Sequence, residues 1–293
     1  MKLYAPAYYK DFKCIADKCT HSCCVGWEIS VDEQTEVRYN CLSVSEREEI
    51  LSHIEDGVIR LCPDGKCPFL DGQGLCRIIS GHGEGYVSEI CREHPRFYNF
   101  CGDRAEVGLG LSCEEAARIA LSSDDYDKLV LIGEKEGESE SDFNSLDDRD
   151  YIFSVLKKSG LSYHEKIDLI KRKYYLPREL FSRESALSRL SELEYLRDED
   201  KEILCRDVAF GAEEDLPYCE RFFAYLVYRH VSCAASFDNM RARLCFCILL
   251  SMIFESLLTI KLDKTVAARL ISEEIEYSEE NIDSLIFDFE CEL

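Results

Sequence analysis

Cysteine constrains this chain most, because it is frequent and concentrated near the amino terminus. The 293 residues contain 17 cysteines, well above ordinary usage. A run spaced C-x4-C-x3-C-C begins at Cys14, and Cys67-x8-Cys76, Cys91 and Cys113 follow it. A thiolate is costly to bury unless a cation neutralises it, and these spacings are typical of soft-metal ligands. The sequence therefore predicts a metal site in this region.

Two settings produce cysteine-rich chains: a secreted disulfide framework and an intracellular metal site. The amino-terminal residues MKLYAPAYYKDFKC lack the apolar segment of a signal peptide. An odd number of cysteines also fits complete disulfide pairing poorly. We therefore expect a cytoplasmic protein whose thiolates bind metal.

The identity of the metal stays open at this stage. Zinc usually takes C-x2-4-C pairs, whereas a four-iron cluster accepts four thiolates with looser spacing. We predict that the metal ligands come from Cys14, Cys19, Cys23, Cys24, Cys67, Cys76, Cys91 and Cys113. The later cysteines have no ligand-like spacing and are interpreted as packed thiols: Cys205, Cys219, Cys233, Cys245, Cys247 and Cys291. A redox role for Cys23 and Cys24 is a further alternative.

Charge and hydropathy exclude two classes of partner. The net charge of −23 argues against nucleic acid, because phosphate binding requires clustered Lys and Arg. The same charge suits a lysine-bearing protein partner, or it serves solubility alone. The longest apolar run, Leu244 to Ile260, is interrupted by Glu255 and is shorter than the roughly 20 residues of a membrane span. We predict that this run is a buried core helix and that no membrane is involved.

The pattern predicts a mainly α fold, in which a cysteine-rich, metal-binding amino-terminal half of loops and short helices packs on a carboxy-terminal helical bundle. We expect a cysteine-rich domain over 1–120, an acidic linker or surface loop over 121–150 and an α-helical domain over 151–293. Helices are predicted over 43–54, with Ser45 as N-cap, and after Ser112. Apolar periodicity predicts further helices over 161–174, 184–196, 198–208, 217–233, 237–260 and 264–276.

The same residues resemble the flagellin lysine-N-methylase family. The resemblance rests on Phe12-Lys13-Cys14-Ile15, Cys19, Cys23-Cys24, Gly26-Trp27, Cys67-Pro68-Phe69-Leu70, Leu75-Cys76-Arg77-Ile78, Pro95-Arg96 and Leu111-Ser112-Cys113. It is dense over residues 8–118 and diffuse beyond them. The chain departs from the family pattern at His94, where tyrosine is usual, and at Glu114, where proline is usual. The cysteine pattern also resembles CxxxCC proteins, a family of zinc- or iron-chelating domains.

The resemblance implies methyl transfer from S-adenosylmethionine to the Nε of lysine in a flagellin-like protein partner. It also implies an iron–sulfur cluster, with four iron atoms as the expected form and zinc as the alternative. Trp27 is either a core anchor or a residue that stacks on the adenine of the methyl donor. Arg96 is a candidate for hydrogen bonding to cluster sulfurs or to the carboxylate of the methyl donor. The methyl donor rests on the resemblance alone, because no glycine-rich turn follows a predicted strand.

Overall fold

The chain folds as two units, which the computed structural model describes over residues 1–139, 141–206 and 217–293. The cysteine-rich unit comprises Lys13–Arg96, and the helical unit comprises Met1–Phe12 with Phe97–Leu293. These bounds differ from the division into 1–120, 121–150 and 151–293 expected from composition. The cysteine-rich unit is an insertion in the chain of the helical unit, and Cys113 belongs to the helical unit.

Helices form most of the regular structure among the described residues, so the expectation of a mainly α fold is confirmed. The described residues contain thirteen α-helices: α1 (Glu33–Asn40), α2 (Val44–Leu51), α3 (Arg77–His82), α4 (Glu89–Glu93), α5 (Glu114–Ser122), α6 (Leu146–Leu156), α7 (Tyr163–Lys173), α8 (Arg183–Glu192), α9 (Asp198–Leu204), α10 (Pro217–His230), α11 (Phe237–Thr259), α12 (Lys264–Ile271) and α13 (Glu279–Glu292). Short 3-10 helices cover Ala7–Asp11, Ala16–Lys18, Glu84–Tyr86, Arg178–Phe181 and Val231–Cys233, and a π-helical turn covers Ser272–Glu276.

Two small sheets accompany the helices. Their strands are β1 (Lys2–Pro6), β2 (Ile29–Ser30), β3 (Ile54–Glu55), β4 (Val58–Ile59), β5 (Arg96–Cys101), β6 (Arg104–Leu109) and β7 (Leu129–Glu134). One sheet has the order β5-β6-β1-β7, with β1 parallel to β6 and antiparallel to β7. The other has the order β2-β4-β3 and lies in the cysteine-rich unit.

The cysteine-rich unit has a core of its own, consisting of Ile29, Tyr39, Ile50, Ile59, Cys67, Phe69, Ile78 and Val87. Helix α1 begins after Asp32, whose carboxylate accepts the backbone N–H of Thr35 at 2.9 Å. Helix α2 begins after Ser43, which forms a capping box with Glu46. The predicted cap at Ser45 is therefore wrong by two residues. Both caps satisfy backbone donors that a short helix otherwise leaves to solvent.

The helical unit is built around α11, which packs against α10, α12 and α13. This helix is long and apolar enough to span a membrane, with a mean hydropathy of 1.8 over its most apolar window. Because 78% of that window is buried inside the protein, it serves here as a core helix, as the sequence predicted. A buried ion pair joins α6 to the sheet, where Arg149 Nη1 donates to Glu106 Oε2 at 2.7 Å.

Several helix boundaries differ from those predicted. Cys113, rather than Ser112, is the N-cap residue of α5. The region 121–150, expected to be a linker or loop, contains all of β7 and the first turn of α6. The predicted helix over 198–208 ends at Leu204, and its last two residues lie outside the described part of the chain. Helix α13 was not predicted.

Candidate metal centre

Four of the predicted ligands lie together in the cysteine-rich unit. The side chains of Cys24, Cys67, Cys76 and Cys91 interact electrostatically in every pairwise combination. We call these four side chains the thiol quartet. They come from a loop, from the two ends of the CPFL…LC motif and from helix α4. The fold thus gathers residues that are up to 67 positions apart, as shown by Cys24 and Cys91.

Backbone pairing brings three members of the quartet into register. The amide of Cys67 donates to the carbonyl of Cys24 at 2.8 Å, beside a β-bridge between Val25 and Lys66. A second bridge joins Leu70 to Cys76, which is the N-cap residue of α3. The loop between Cys67 and Cys76 therefore closes on itself and holds these two thiols at its base.

Helix α4 carries the fourth thiol and is tied to α1 by Asp32. The Oδ2 of Asp32 accepts the backbone N–H of Glu89, the first residue of α4, at 2.8 Å. It also accepts the hydroxyl of Thr35 at 2.7 Å. Although partial burial of Asp32 acts in the opposite direction, these hydrogen bonds lower its pKa to about 2. One ionised carboxylate thus accepts backbone amides from the first turns of two helices, α1 and α4, and α4 bears Cys91.

Three of the four thiols in the quartet have raised pKa values. Burial raises the pKa of Cys67 to about 11, and burial of the Cys91 thiol raises its pKa to about 12, although residue 91 is exposed overall. Burial also raises the pKa of Cys76. Each thiolate would further repel the others, so ionisation of all four requires a cation between them. Cys24 differs, because a hydrogen bond with Cys23 lowers its pKa to about 7.

Tyr39 lies beside three members of the quartet. Its side chain is fully buried, and its hydroxyl has no hydrogen-bond partner among the described residues. Burial raises its pKa to about 12, and the nearby Cys91, Cys76 and Cys67 act in the same direction. A buried donor without an acceptor costs about 1–3 kcal/mol. The hydroxyl is therefore poised to donate to a sulfur atom at this site.

The remaining predicted ligands occupy other positions. Cys14 is exposed, and its sulfur accepts the N–H of Ala16 at 3.4 Å. The Cys19 thiol donates to the carbonyl of His21 at 2.9 Å, and Cys23 is exposed next to Cys24. Cys113 begins α5 in the helical unit. Cys62 also interacts electrostatically with Cys67, a member of the quartet.

The two predicted cofactor contacts lie in the cysteine-rich unit. Trp27 is half-buried on the segment that leads into β2. Arg96 is half-buried at the start of β5, and its Nη1 donates to the carbonyl of Arg92 at 3.4 Å. Their assignment to S-adenosylmethionine stays a prediction. Cys233 is the one packed-thiol assignment whose side chain lies outside the described residues.

The quartet fits a soft metal by its chemistry. It supplies four sulfur donors in a half-buried apolar setting, together with an orphaned hydroxyl that suits a sulfur acceptor. Over residues 1–139, 141–206 and 217–293, no three cysteine, histidine or carboxylate side chains stand in the arrangement expected around a bound metal ion. The ligand assignment and the metal therefore stay predictions.

Comparison with known proteins supports the family resemblance. The chain is 28% identical over 144 residues to the flagellar biosynthetic protein FliU of Salmonella muenchen. It is also 28% identical over 133 residues to the lysine-N-methylases of Salmonella choleraesuis and Salmonella typhimurium. No family model matches the chain, and no solved structure matches it. The chain thus resembles the lysine methylases at low identity.

The match covers only part of this chain and only part of each similar protein. It covers 45% of this chain and 82% of the flagellar biosynthetic protein. It covers 41% of this chain but only 32% of each lysine-N-methylase. About two thirds of each methylase therefore has no counterpart in the match.

Proposed function

We propose that this protein is an iron–sulfur protein lysine N-methyltransferase, which uses S-adenosylmethionine and acts on a flagellin-like substrate. The convergence of Cys24, Cys67, Cys76 and Cys91 beside Tyr39 is the observation that carries the proposal. The names of the similar proteins supply the reaction and the class of substrate.

The thiol quartet would hold the cluster. Four thiolates are the usual ligand set of a four-iron cluster, and such a cluster supplies a redox-active or electrophilic centre when bound. Tyr39 would donate a hydrogen bond to sulfur, and Asp32 would hold α4, and with it Cys91, in place. The apolar core around these residues would exclude water from the site.

The acidic surface would favour the proposed substrate. With 58 Asp and Glu against 35 Lys and Arg, the chain attracts lysine-bearing surfaces and repels acidic ones. Attraction of this kind raises association rates at low ionic strength more than it raises affinity. Methyl transfer would also require the substrate lysine to lose a proton, because the pKa of a free lysine is about 10.4.

A methyl-transfer assay tests the proposal. Anaerobically purified protein would be mixed with flagellin and S-adenosylmethionine that carries a labelled methyl group. We expect label on lysine with the wild-type protein and with Cys291→Ser, which changes an exposed thiol in α13. Cys76→Ser should abolish the transfer. Absence of label with the wild-type protein, together with no calorimetric binding of the methyl donor, would contradict the proposal.

A non-catalytic metal-binding module is the second candidate. The limited coverage of the methylases favours it, because the match includes only 32% of their length. Such a module would bind zinc or iron for a structural, storage or sensing role. Purified protein that is colourless and contains zinc would support the module, whereas a brown protein absorbing at roughly 400 nm would support an iron–sulfur site.

A further inference from the structure

A cavity lies within the helical unit, and none of its lining residues belongs to the thiol quartet. Its volume is about 200 Å3, and it is lined by α7, α11 and Phe181 of the short helix Arg178–Phe181. Sites for drug-sized ligands occupy roughly 300–1,000 Å3. This cavity is therefore too small for a nucleoside cofactor and suits a single side chain.

Two helix faces form the walls. His164, Asp168 and Lys171 are spaced four and three residues apart and share one face of α7. Ile248, Met252 and Glu255 have the same spacing on α11. The cavity thus combines an apolar wall with ionisable groups, as expected for a ligand that has an aliphatic stem and a charged end.

Glu255 supplies the key charge. It is buried near the carboxyl end of the apolar helix α11, with only 4% of its surface exposed. Its Oε1 lies 2.8 Å from Nε2 of His164, a side chain that is nearly half exposed at the rim. A carboxylate at this depth requires a cationic or hydrogen-bonding partner.

The balance of charge favours a cationic ligand. Glu255 and Asp168 contribute two carboxylates, against the ammonium of Lys171 and the imidazole of His164. Burial lowers the pKa of Lys171, although the nearby Asp168 acts in the opposite direction. A carboxylate ligand would meet two like charges here, so its binding is disfavoured.

The cavity already accommodates one alkylammonium group. Nζ of Lys171 lies 4.3 Å from the centroid of the Phe181 ring, within the range of a cation–π interaction. The aromatic and apolar walls are therefore compatible with a second aliphatic chain that ends in an ammonium group.

We propose that this cavity binds the side chain of a lysine presented by a protein partner. The methylenes of the lysine would lie on Ile248 and Met252, and its ammonium would meet the carboxylate of Glu255. The protein source of that lysine rests on the proposed function, whereas the chemistry of the cavity does not.

A peptide-binding measurement tests the inference without any methyl donor. A labelled peptide with a single lysine would be compared by fluorescence anisotropy with the same peptide carrying norleucine. A charge-assisted hydrogen bond corresponds to roughly tenfold in affinity or more, so we expect the lysine peptide to bind at least about tenfold more tightly. Free n-butylammonium should compete with it.

Matched variants locate the site. Glu255→Gln should remove the preference for lysine, and Met252→Phe should weaken both peptides by filling the cavity. Glu179→Gln makes the same change of charge at an exposed position two residues before Phe181 and should keep the preference. Thermal unfolding would confirm that each variant is folded.

Three results would overturn the inference. The first is equal binding of the two peptides, and the second is an unchanged preference for lysine in Glu255→Gln. The third is binding of n-butylammonium without binding of the peptide, which would indicate a small-molecule site. If the peptide binds as expected but no methyl group is transferred, the cavity assignment stands and the methyltransferase proposal falls.

Discussion

Tyr39 is the residue that links the thiol quartet to the core of its unit. Its ring is fully buried among apolar side chains, while its hydroxyl lies beside three thiols and has no acceptor in the described part of the chain. Nothing in the segment Glu-Val-Arg-Tyr-Asn marks this tyrosine as part of a site. Its role depends on contacts with residues 28 or more positions away, from Cys67 to Cys91.

Tyr39→Phe should stabilise the metal-free protein. The change removes a buried hydroxyl that lacks a partner, so we expect the free energy of unfolding to rise by about 1 kcal/mol. Urea denaturation measures this change, and Tyr86→Phe, on a half-buried ring of the same core, should be close to neutral. A loss of more than about 1 kcal/mol in metal-free Tyr39→Phe would contradict the described hydrogen bonding.

His230 is a second residue of interest, because its protonation should lower the stability of the folded protein. It is buried in α10, with Nε2 2.7 Å from Glu276 Oε1, and its ring packs on Phe246. Burial lowers its pKa, helped by Arg229 and Arg243, although Glu276 acts in the opposite direction. Below the ordinary histidine pKa of about 6.5, the unfolded chain therefore binds more protons than the folded one, and stability falls with falling pH.

Thermal unfolding at decreasing pH should reveal the contribution of His230 to stability. Between about pH 7.5 and about pH 5.5, we expect the Tm of the wild-type protein to fall, and to fall less in His230→Gln. Glu276 adds to the loss only at lower pH, because Arg229 and His230 lower its pKa against the opposing effect of its burial. An equal fall of Tm in the two proteins would show that protonation of His230 is not responsible.

The sequence predicted the candidate metal ligands only as a pool. The eight proposed cysteines included all four members of the quartet, because clustered spacing identifies ligand-rich segments. The sequence did not separate the quartet from Cys14, Cys19, Cys23 and Cys113, since that choice depends on how loops close. The cavity proposed to bind lysine had no sequence motif, because His164 and Glu255 lie 91 residues apart.

Helix α2 shows what capping patterns predict at the scale of an element. The pattern S-x-x-E occurs twice, at Ser43 with Glu46 and at Ser45 with Glu48. Both satisfy the capping-box rule, so the sequence predicted the helix but not which serine begins it. The structure selects Ser43, whose side chain accepts the N–H of Glu46.

Alanine substitutions separate the two serines. Ser43→Ala should reduce the free energy of unfolding of the cysteine-rich unit by about 1 kcal/mol, because a helix cap is lost. Ser45→Ala should change it by less than about 0.5 kcal/mol, since alanine is favourable inside a helix. Urea denaturation measures both values, and the reverse order of effects would place the start of α2 at the residue first predicted.

Sheet pairing explains the elements that the sequence did not predict. Strand β1 pairs with β6 through Lys2 and Arg104, and with β7 through Lys2 and Glu134. Pairings across about a hundred residues leave no local pattern beyond a short apolar alternation. Helix α13, in contrast, has apolar residues at helical spacing, namely Ile282, Leu285, Ile286 and Phe289, and this local pattern is typical of a helix.

At the scale of the whole molecule, the two structural units do not correspond to two consecutive segments of the sequence. Composition placed the cysteine-rich region over 1–120, whereas the structure confines that unit to Lys13–Arg96. The first twelve residues fell within that expected region, yet β1 pairs with strands of the helical unit. Each unit has its own core, so changes in the quartet should leave α11 and its neighbours folded.

Iron and sulfide analysis of anaerobically purified protein tests the central claim most directly. We predict that the wild-type protein and Cys291→Ser contain iron and acid-labile sulfide and absorb at roughly 400 nm, whereas Cys76→Ser loses all three properties. Full iron content in Cys76→Ser, or a wild-type protein without iron, would contradict an iron–sulfur centre held by the thiol quartet.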